Sequence, residues 1–241
     1  MVGTHFNPGL FVNMKYILII AFSFGSFVHL AFGQSKPPAK KPVFFHHNHY
    51  VEKMDQNWRK QTFYMIVGEG NRGVLRKVYP TFELVNDECL GKKVTYIKVP
   101  GIEDPMVPIL SAELFGEKPS VTSAVVSTNQ FLTPSDKINV LLAGDNYVLT
   151  LKKNKIAKDS MDIMLTCKDS TQYLNRTALD SEYPPTIIFA GDLDNDSIPE
   201  MIIQVYQQKG IYWILFKAEK VEGAKPRFTE KLRCTFTALP C

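Results

Sequence analysis

Apolar residues along this chain gather in short β-branched and aromatic runs and do not recur with a helical period. The runs are Thr62 to Val67, Val74 to Tyr79, Val94 to Val99, Val121 to Val126, Ile138 to Leu142, Tyr147 to Leu151, Met161 to Thr166, Thr186 to Ala190, Met201 to Gln207, Ile211 to Phe216 and Leu232 to Thr237. Branched and aromatic side chains suit a pleated surface. Between the runs stand Glu69-Gly70-Asn71, Pro100-Gly101, Gly144-Asp145-Asn146 and Lys209-Gly210, residues that reverse the chain at low steric cost. The pattern predicts a mainly β fold, all-β or β-dominated α+β, made of many short antiparallel strands. One helix is expected, near Ser111 to Phe115 or near Thr171 to Leu179. No break divides the chain from Val43 onward, so residues 43–241 are read as a single β-rich domain.

The first 42 residues follow other rules. Tyr16 to Phe32 is an apolar run preceded by Lys15 and closed by Ala31-Phe32-Gly33, a small-x-small site, which predicts a signal peptide over residues 1–33 and export after cleavage before Gln34. The uncharged stretch Met1 to Asn13 ahead of that pattern makes Met14 an alternative start. A membrane anchor is the competing reading. A spanning helix needs about 20 apolar residues, whereas this run carries Ser23, Gly25, Ser26 and His29, so no stable span is expected in the mature chain. Residues 34–42 form a Pro/Lys-rich linker in which the prolines forbid helix. With 45% apolar residues the remainder suits a folded domain. Removing Lys15, Lys36, Lys40 and Lys41 from the 28 basic residues leaves 24 against 24 acidic ones, so no basic footprint for nucleic acid survives.

Export places Cys89, Cys167, Cys234 and Cys241 in an oxidising compartment, where disulfides are expected. Four cysteines allow three pairings. Closeness in sequence favours Cys234 with Cys241, leaving Cys89 with Cys167. Neither CxxC spacing nor a neighbouring histidine marks a zinc site. His46, His47 and His49 are all the histidines left after the leader. On a strand His47 and His49 would project together and could hold Zn²⁺ or Cu²⁺, or the cluster is a polar edge of the linker. A catalytic triad would have to borrow one of these three, and no Gly-x-Ser-x-Gly elbow, phosphate loop or HExxH motif is present. Paired carboxylates leave no spacing signature. Glu83 or Glu88 with Asp87 therefore stands as the rival, hydrolytic reading. Asn175-Arg176-Thr177 fits a glycosylation sequon, read as a chance match on an exposed segment.

The most specific stretch is Gly191-Asp192-Leu193-Asp194-Asn195-Asp196-Ser197-Ile198-Pro199-Glu200. Acids at alternate positions of a tight loop point to one centre, where their charges repel unless a cation is present. Oxygen donors in this number suit Ca²⁺ better than Mg²⁺ with its stricter octahedron. Asp192, Asp194, Asp196 and Glu200 would give side-chain oxygens and Ile198 its carbonyl. An EF-hand fails, because its twelfth position is Ile203 and the flanks Thr186 to Phe189 and Met201 to Tyr206 read as strands. Acids at 1, 3, 5 and 9 between two strands, with Gly191 preceding, resemble the calcium loop of the FG-GAP and VCBS repeat families. The resemblance covers about twenty residues and implies one structural Ca²⁺ on a hairpin, as in secreted bacterial proteins with a single such loop. Ser197 stands where those families place glycine, at a cost of about 1 kcal/mol for a left-handed residue. The 208 residues left after a 33-residue leader cannot supply the blades of a full propeller. A solvated acidic turn is the competing reading.

Leu141-Leu142-Ala143-Gly144-Asp145 echoes Ile188-Phe189-Ala190-Gly191-Asp192, 47 residues later. Gly-Asp is a common turn pair, and the echo is read as coincidence. Taken together, the sequence predicts a secreted calcium-binding β-domain that acts by binding, or in the cell envelope, on an extracellular ligand, and more readily that than an enzyme.

Overall fold

Runs this short bury little alone and must pair with their sequence neighbours. The computed structural model describes residues 42–46, 49–51, 54–69, 72–88, 91–103, 108–115, 130–179, 184–194, 196–207, 210–219 and 226–236. The expected strand Val121 to Val126 and the residues Cys89, Cys241 and His47 lie outside them.

In the first half the strands are β1 (Phe44–His46), β2 (His49–Val51), β3 (Phe63–Glu69), β4 (Arg72–Val78), β5 (Thr81–Asp87), β6 (Lys92–Lys98) and β7 (Pro108–Ser111). They make two antiparallel sheets, ordered β1-β7-β3-β4 and β2-β6-β5. The chain therefore changes sheet between His46 and His49. The second half holds β8 (Gln130–Phe131), β9 (Lys137–Leu142), β10 (Asp145–Lys153), β11 (Ser160–Cys167), β12 (Ser170–Ala178), β13 (Thr186–Gly191), β14 (Glu200–Gln207), β15 (Gly210–Glu219) and β16 (Arg227–Phe236). Here β9 to β12 form one meander, and β13 to β16 form a second whose far edge is extended by β8.

The sheet of β13 to β16 is buried on both faces. Ile202, Trp213 and Leu215 point into a core shared with Phe45, Phe63, Ile97 and Ile109 of the first two sheets. Met201, Ile203, Ile214 and Phe216 point the other way, into a core shared with Val140, Leu149 and Ile163 of the β9 to β12 sheet. This explains why Met201 to Tyr206 is an unbroken apolar run apart from Gln204, since a strand covered on both sides has no solvent face. Buried Gln204 lies directly across from Trp213, and its Oε1 accepts the indole N–H at 2.9 Å. Ile188 is the extra residue of a bulge, so it and Phe189 both enter the first core.

Among the described residues, helical backbone is confined to the 3-10 turns Gln56–Lys60 and Ala112–Leu114. The helix expected over Thr171 to Leu179 is instead strand β12, paired along its length with β11. No helix in the described residues is long and apolar enough to cross a membrane.

The cysteines correct a second expectation. No disulfide forms among the described residues, and Cys167 and Cys234 are buried thiols. Each lies inside a hydrophobic core, Cys234 in the first and Cys167 in the second. Cys234 receives the main-chain N–H of His46, and burial pushes its thiol up to about 12. A thiol packed this way fills volume as a small apolar group.

Asn175 is a third correction. It is 7% exposed, and its Oδ1 accepts the amide of Arg176 and, at 2.9 Å, the side-chain amide of Gln207. A buried, bonded amide is the opposite of the exposed segment that the sequon implied.

Candidate metal centre

β13 and β14 pair antiparallel, with Gly191 opposite Glu200, and the acidic residues occupy the loop between them. Leu193 does not follow the acids. Its side chain is buried in the first core, which pins the loop down between Asp192 and Asp194. The amide of Leu193 donates to Glu200 Oε2 at 2.7 Å, tying the loop back to the first residue of β14.

Two of the acids organise backbone. Asp192 accepts the amides of Asp196 at 3.2 Å and Ser197 at 2.8 Å, and Asp196 Oδ1 accepts that of Ile198 at 2.7 Å. These bonds wind the loop so tightly that Ser197 takes φ of 62°, the left-handed conformation its glycine-like position requires. Ile198 packs part of its side chain against the second core, and its amide is the group engaged.

The structure brings Asp192, Asp194 and Glu200 together, with one carboxylate oxygen from each within 4.8 Å of the others. Two oxygens on opposite sides of a Ca²⁺ ion stand about 4.6 to 5.2 Å apart, given bonds of about 2.3 to 2.6 Å. The donor set is of the right hardness and spacing for one divalent cation. The Asp196 carboxylate is not part of that trio, although its amide bonds Asp192, and it shares with Asp194 and Glu200 a partner that the local spacing of the acids does not reveal.

That partner is Lys217 on β15. Its Nζ donates to Asp194 Oδ2 at 2.7 Å and to Asp196 Oδ2 at 2.8 Å, and lies 2.9 Å from Glu200 Oε1 in an ion pair without hydrogen-bond geometry. The repulsion that seemed to demand a metal is thus met by an ammonium group. Asp194 Oδ1 and Glu200 Oε1 are nevertheless buried and make no hydrogen bond. Burial pushes Glu200 up to about 7, against the pull of the Leu193 amide and Lys217, with the Asp194 charge adding to the rise. Burial also raises Asp194, outweighing its bond to Lys217. In Asp196 burial acts upward too, but Lys217 and the Ile198 amide prevail and hold it below the ordinary carboxylate value. Lys217 itself is desolvated, yet the three carboxylates raise it above its usual range.

The register places Lys217: Gln207 pairs with Gly210, and counting outward residue by residue sets Glu200 opposite Lys217, whereas a two-residue turn at Lys209-Gly210 would have set Glu200 opposite Glu219.

The echo at residues 141–145 has a structural counterpart. It falls at the first turn of the β9 to β12 meander, as Gly191-Asp192 falls at the first turn of the next. There Ala143 and Gly144, both at positive φ, make a two-residue hairpin turn with no room for further acids. Asp145 also meets a lysine, Lys168, at 2.6 Å.

His47 and the side chain of His49 lie outside the described residues, while Glu83 and Asp87 stand apart. His46 is buried with its ring 5.7 Å from that of Trp213, while His49 pairs through its backbone with Ile97 in another sheet. Glu83 is half exposed and ion-paired with Lys98 at 3.1 Å. It stands four residues from Asp87 on β5, about 13 Å along a strand, beyond the roughly 5 to 9.5 Å of a glycosidase pair. Asp87 is buried at the end of β5, and Glu88 is exposed in the turn that follows. A cleft of about 510 Å³ lies elsewhere, lined by Ala157, Lys158, Asp159, Arg176, Gln207 and Tyr212, and the acidic loop does not border it. Comparison with family models, curated proteins and solved structures finds no match.

Proposed function

We propose that this protein is an exported β-domain that binds one structural Ca²⁺ in the loop between β13 and β14 and acts by binding a ligand outside the cell or in its envelope, in the manner of secreted bacterial proteins with a single FG-GAP/VCBS-like loop. The observation that carries the reading is the Asp192, Asp194 and Glu200 cluster, in which Asp194 Oδ1 is buried without a hydrogen bond and Glu200 Oε1 is buried with only an ion pair to Lys217. Such oxygens gain most from a hard cation, which restores the interaction lost with water. Asp196 and the carbonyl of Ile198 complete the ligand set once the loop closes on the ion. The leader pattern of residues 1–33 supports export. The acids' position away from the 510 Å³ cleft favours a structural ion over a catalytic one, and a solvated acidic turn would not bury Glu200 to 3% exposure.

Calorimetry on chelator-treated protein tests this reading. Calcium should bind with measurable heat and raise the melting temperature, and magnesium should do so more weakly. A chain that gives no heat with calcium and melts at the same temperature with and without it is not a calcium-binding domain.

A further inference from the structure

We propose that Lys217 is a tethered competitor for the cation position, so that a divalent ion enters the acidic loop only by expelling the Lys217 ammonium. The inference rests on the calcium reading above and adds how the site is regulated. Its geometry is that of a single hollow with two claimants. Glu200 Oε1 is the contested atom. It belongs to a residue only 3% exposed, makes no hydrogen bond, and has Lys217 Nζ 2.9 Å away. Asp194 presents one oxygen to Lys217 at 2.7 Å and keeps the other buried and without a hydrogen bond. A cation that bonds Glu200 Oε1 within about 2.6 Å would stand against the ammonium at a distance where two positive charges repel strongly.

Lys217 has somewhere to go. Its side chain is 24% exposed, and a four-carbon stem can carry the charge from the loop to water without moving β15. Its place is fixed by strand register, opposite Glu200, so it returns to the same hollow when the ion leaves. The loop is therefore ordered with either cation. The lysine holds it folded where calcium is scarce, and calcium displaces the lysine only where it is abundant, as outside a cell. The lysine cation hydrogen-bonds two of the carboxylates, Asp194 and Asp196, and only ion-pairs with Glu200. An ion with two charges and six to eight coordination positions also engages the oxygens that Lys217 leaves without a hydrogen bond.

The experiment compares wild-type protein with Lys217→Met by calcium calorimetry and melting, and follows wild-type Lys217 by amine acetylation and mass spectrometry. Lys217→Met should bind calcium at least about tenfold more tightly than wild type, since one fixed positive charge has left the site. Without calcium it should melt below wild type, and calcium should restore it. In wild-type protein Lys217 should resist acetylation in chelator and become reactive as calcium is added. Equal calcium affinity in the two proteins, or Lys217 reactivity that does not change while calcium heat is present, overturns the competition and leaves the calcium site standing. Absence of heat in both overturns the site and the competition together. Should Lys217→Met fail to fold, acetylation of the wild type decides by itself.

Discussion

Ser197 and Asp194 show how single residues set the character of the loop. Ser197 holds φ of 62° in an exposed position, where a side chain adds strain and little contact. Ser197→Gly should stabilise the protein by up to about 1 kcal/mol, read as a higher urea midpoint with unchanged slope. A lower midpoint would mean that the hydroxyl matters more than the backbone. For Asp194 the sign depends on Lys217. Carboxylate repulsion alone predicts that Asp194→Ala leaves the metal-free protein unchanged or slightly firmer. Because Asp194 accepts a 2.7 Å bond from a half-buried ammonium, Asp194→Ala should instead cost about 1 to 3 kcal/mol without calcium and also weaken calcium binding. Asp145→Ala, at the echo turn with its exposed Lys168 pair, should leave the calcium response intact. Chelated and calcium-loaded melting curves of both variants check the pair of claims.

At the scale of strands and hairpins, β14 and β15 carry the site because their register is locked. Gln204 and Trp213 are one cross-strand pair of that register, bonded side chain to side chain inside the first core. Trp213→Phe strands Gln204 Oε1 in an apolar environment, at a cost of about 1 to 3 kcal/mol beyond the lost ring area. Adding Gln204→Leu should recover part of that loss, and a double variant no better than Trp213→Phe alone would refute the pairing argument. The same elements show what was legible from sequence. The strands of the doubly covered sheet stood out as dense apolar runs. β5 and β12 did not, because both are edge strands with polar, mostly solvent-facing residues, and Thr171 to Leu179 lacks the turn residues that would have argued against a helix. The acids were visible because their spacing is local. Lys217 was not legible, because a salt bridge between strands is a fact of register, and the Lys209-Gly210 signal misses the observed Gln207–Gly210 pairing that sets Lys217 opposite Glu200.

At the largest scale, within residues 41–241, the β13 to β16 sheet has a core on each face, and both described cysteines belong to those cores. This is why the expectation of disulfides fails for Cys167 and Cys234: compartment argues for oxidation, but packing keeps these thiols away from water and from oxidants. The cores also set a pH dependence. Burial pushes Cys234 from 9.0 to about 12 and Tyr147, beside Cys167, from 10.0 to about 12. The unfolded chain releases both protons first, so stability should fall as pH rises from about 9 toward 12, and melting temperatures across that range check it. Cys234→Ala should flatten the first part of the decline, whereas an unchanged profile would place the thiol in contact with water. The central claim, that the β13–β14 loop is one cation position shared by Lys217 and a divalent ion, is tested most directly by a crystal structure of the protein grown in calcium, with anomalous scattering to identify the ion. The account predicts a calcium peak bonded to Asp192, Asp194 and Glu200, with the Lys217 ammonium swung out to solvent. Lys217 still within 3 Å of Asp194, Asp196 and Glu200 at saturating calcium, with no anomalous peak among them, would contradict it.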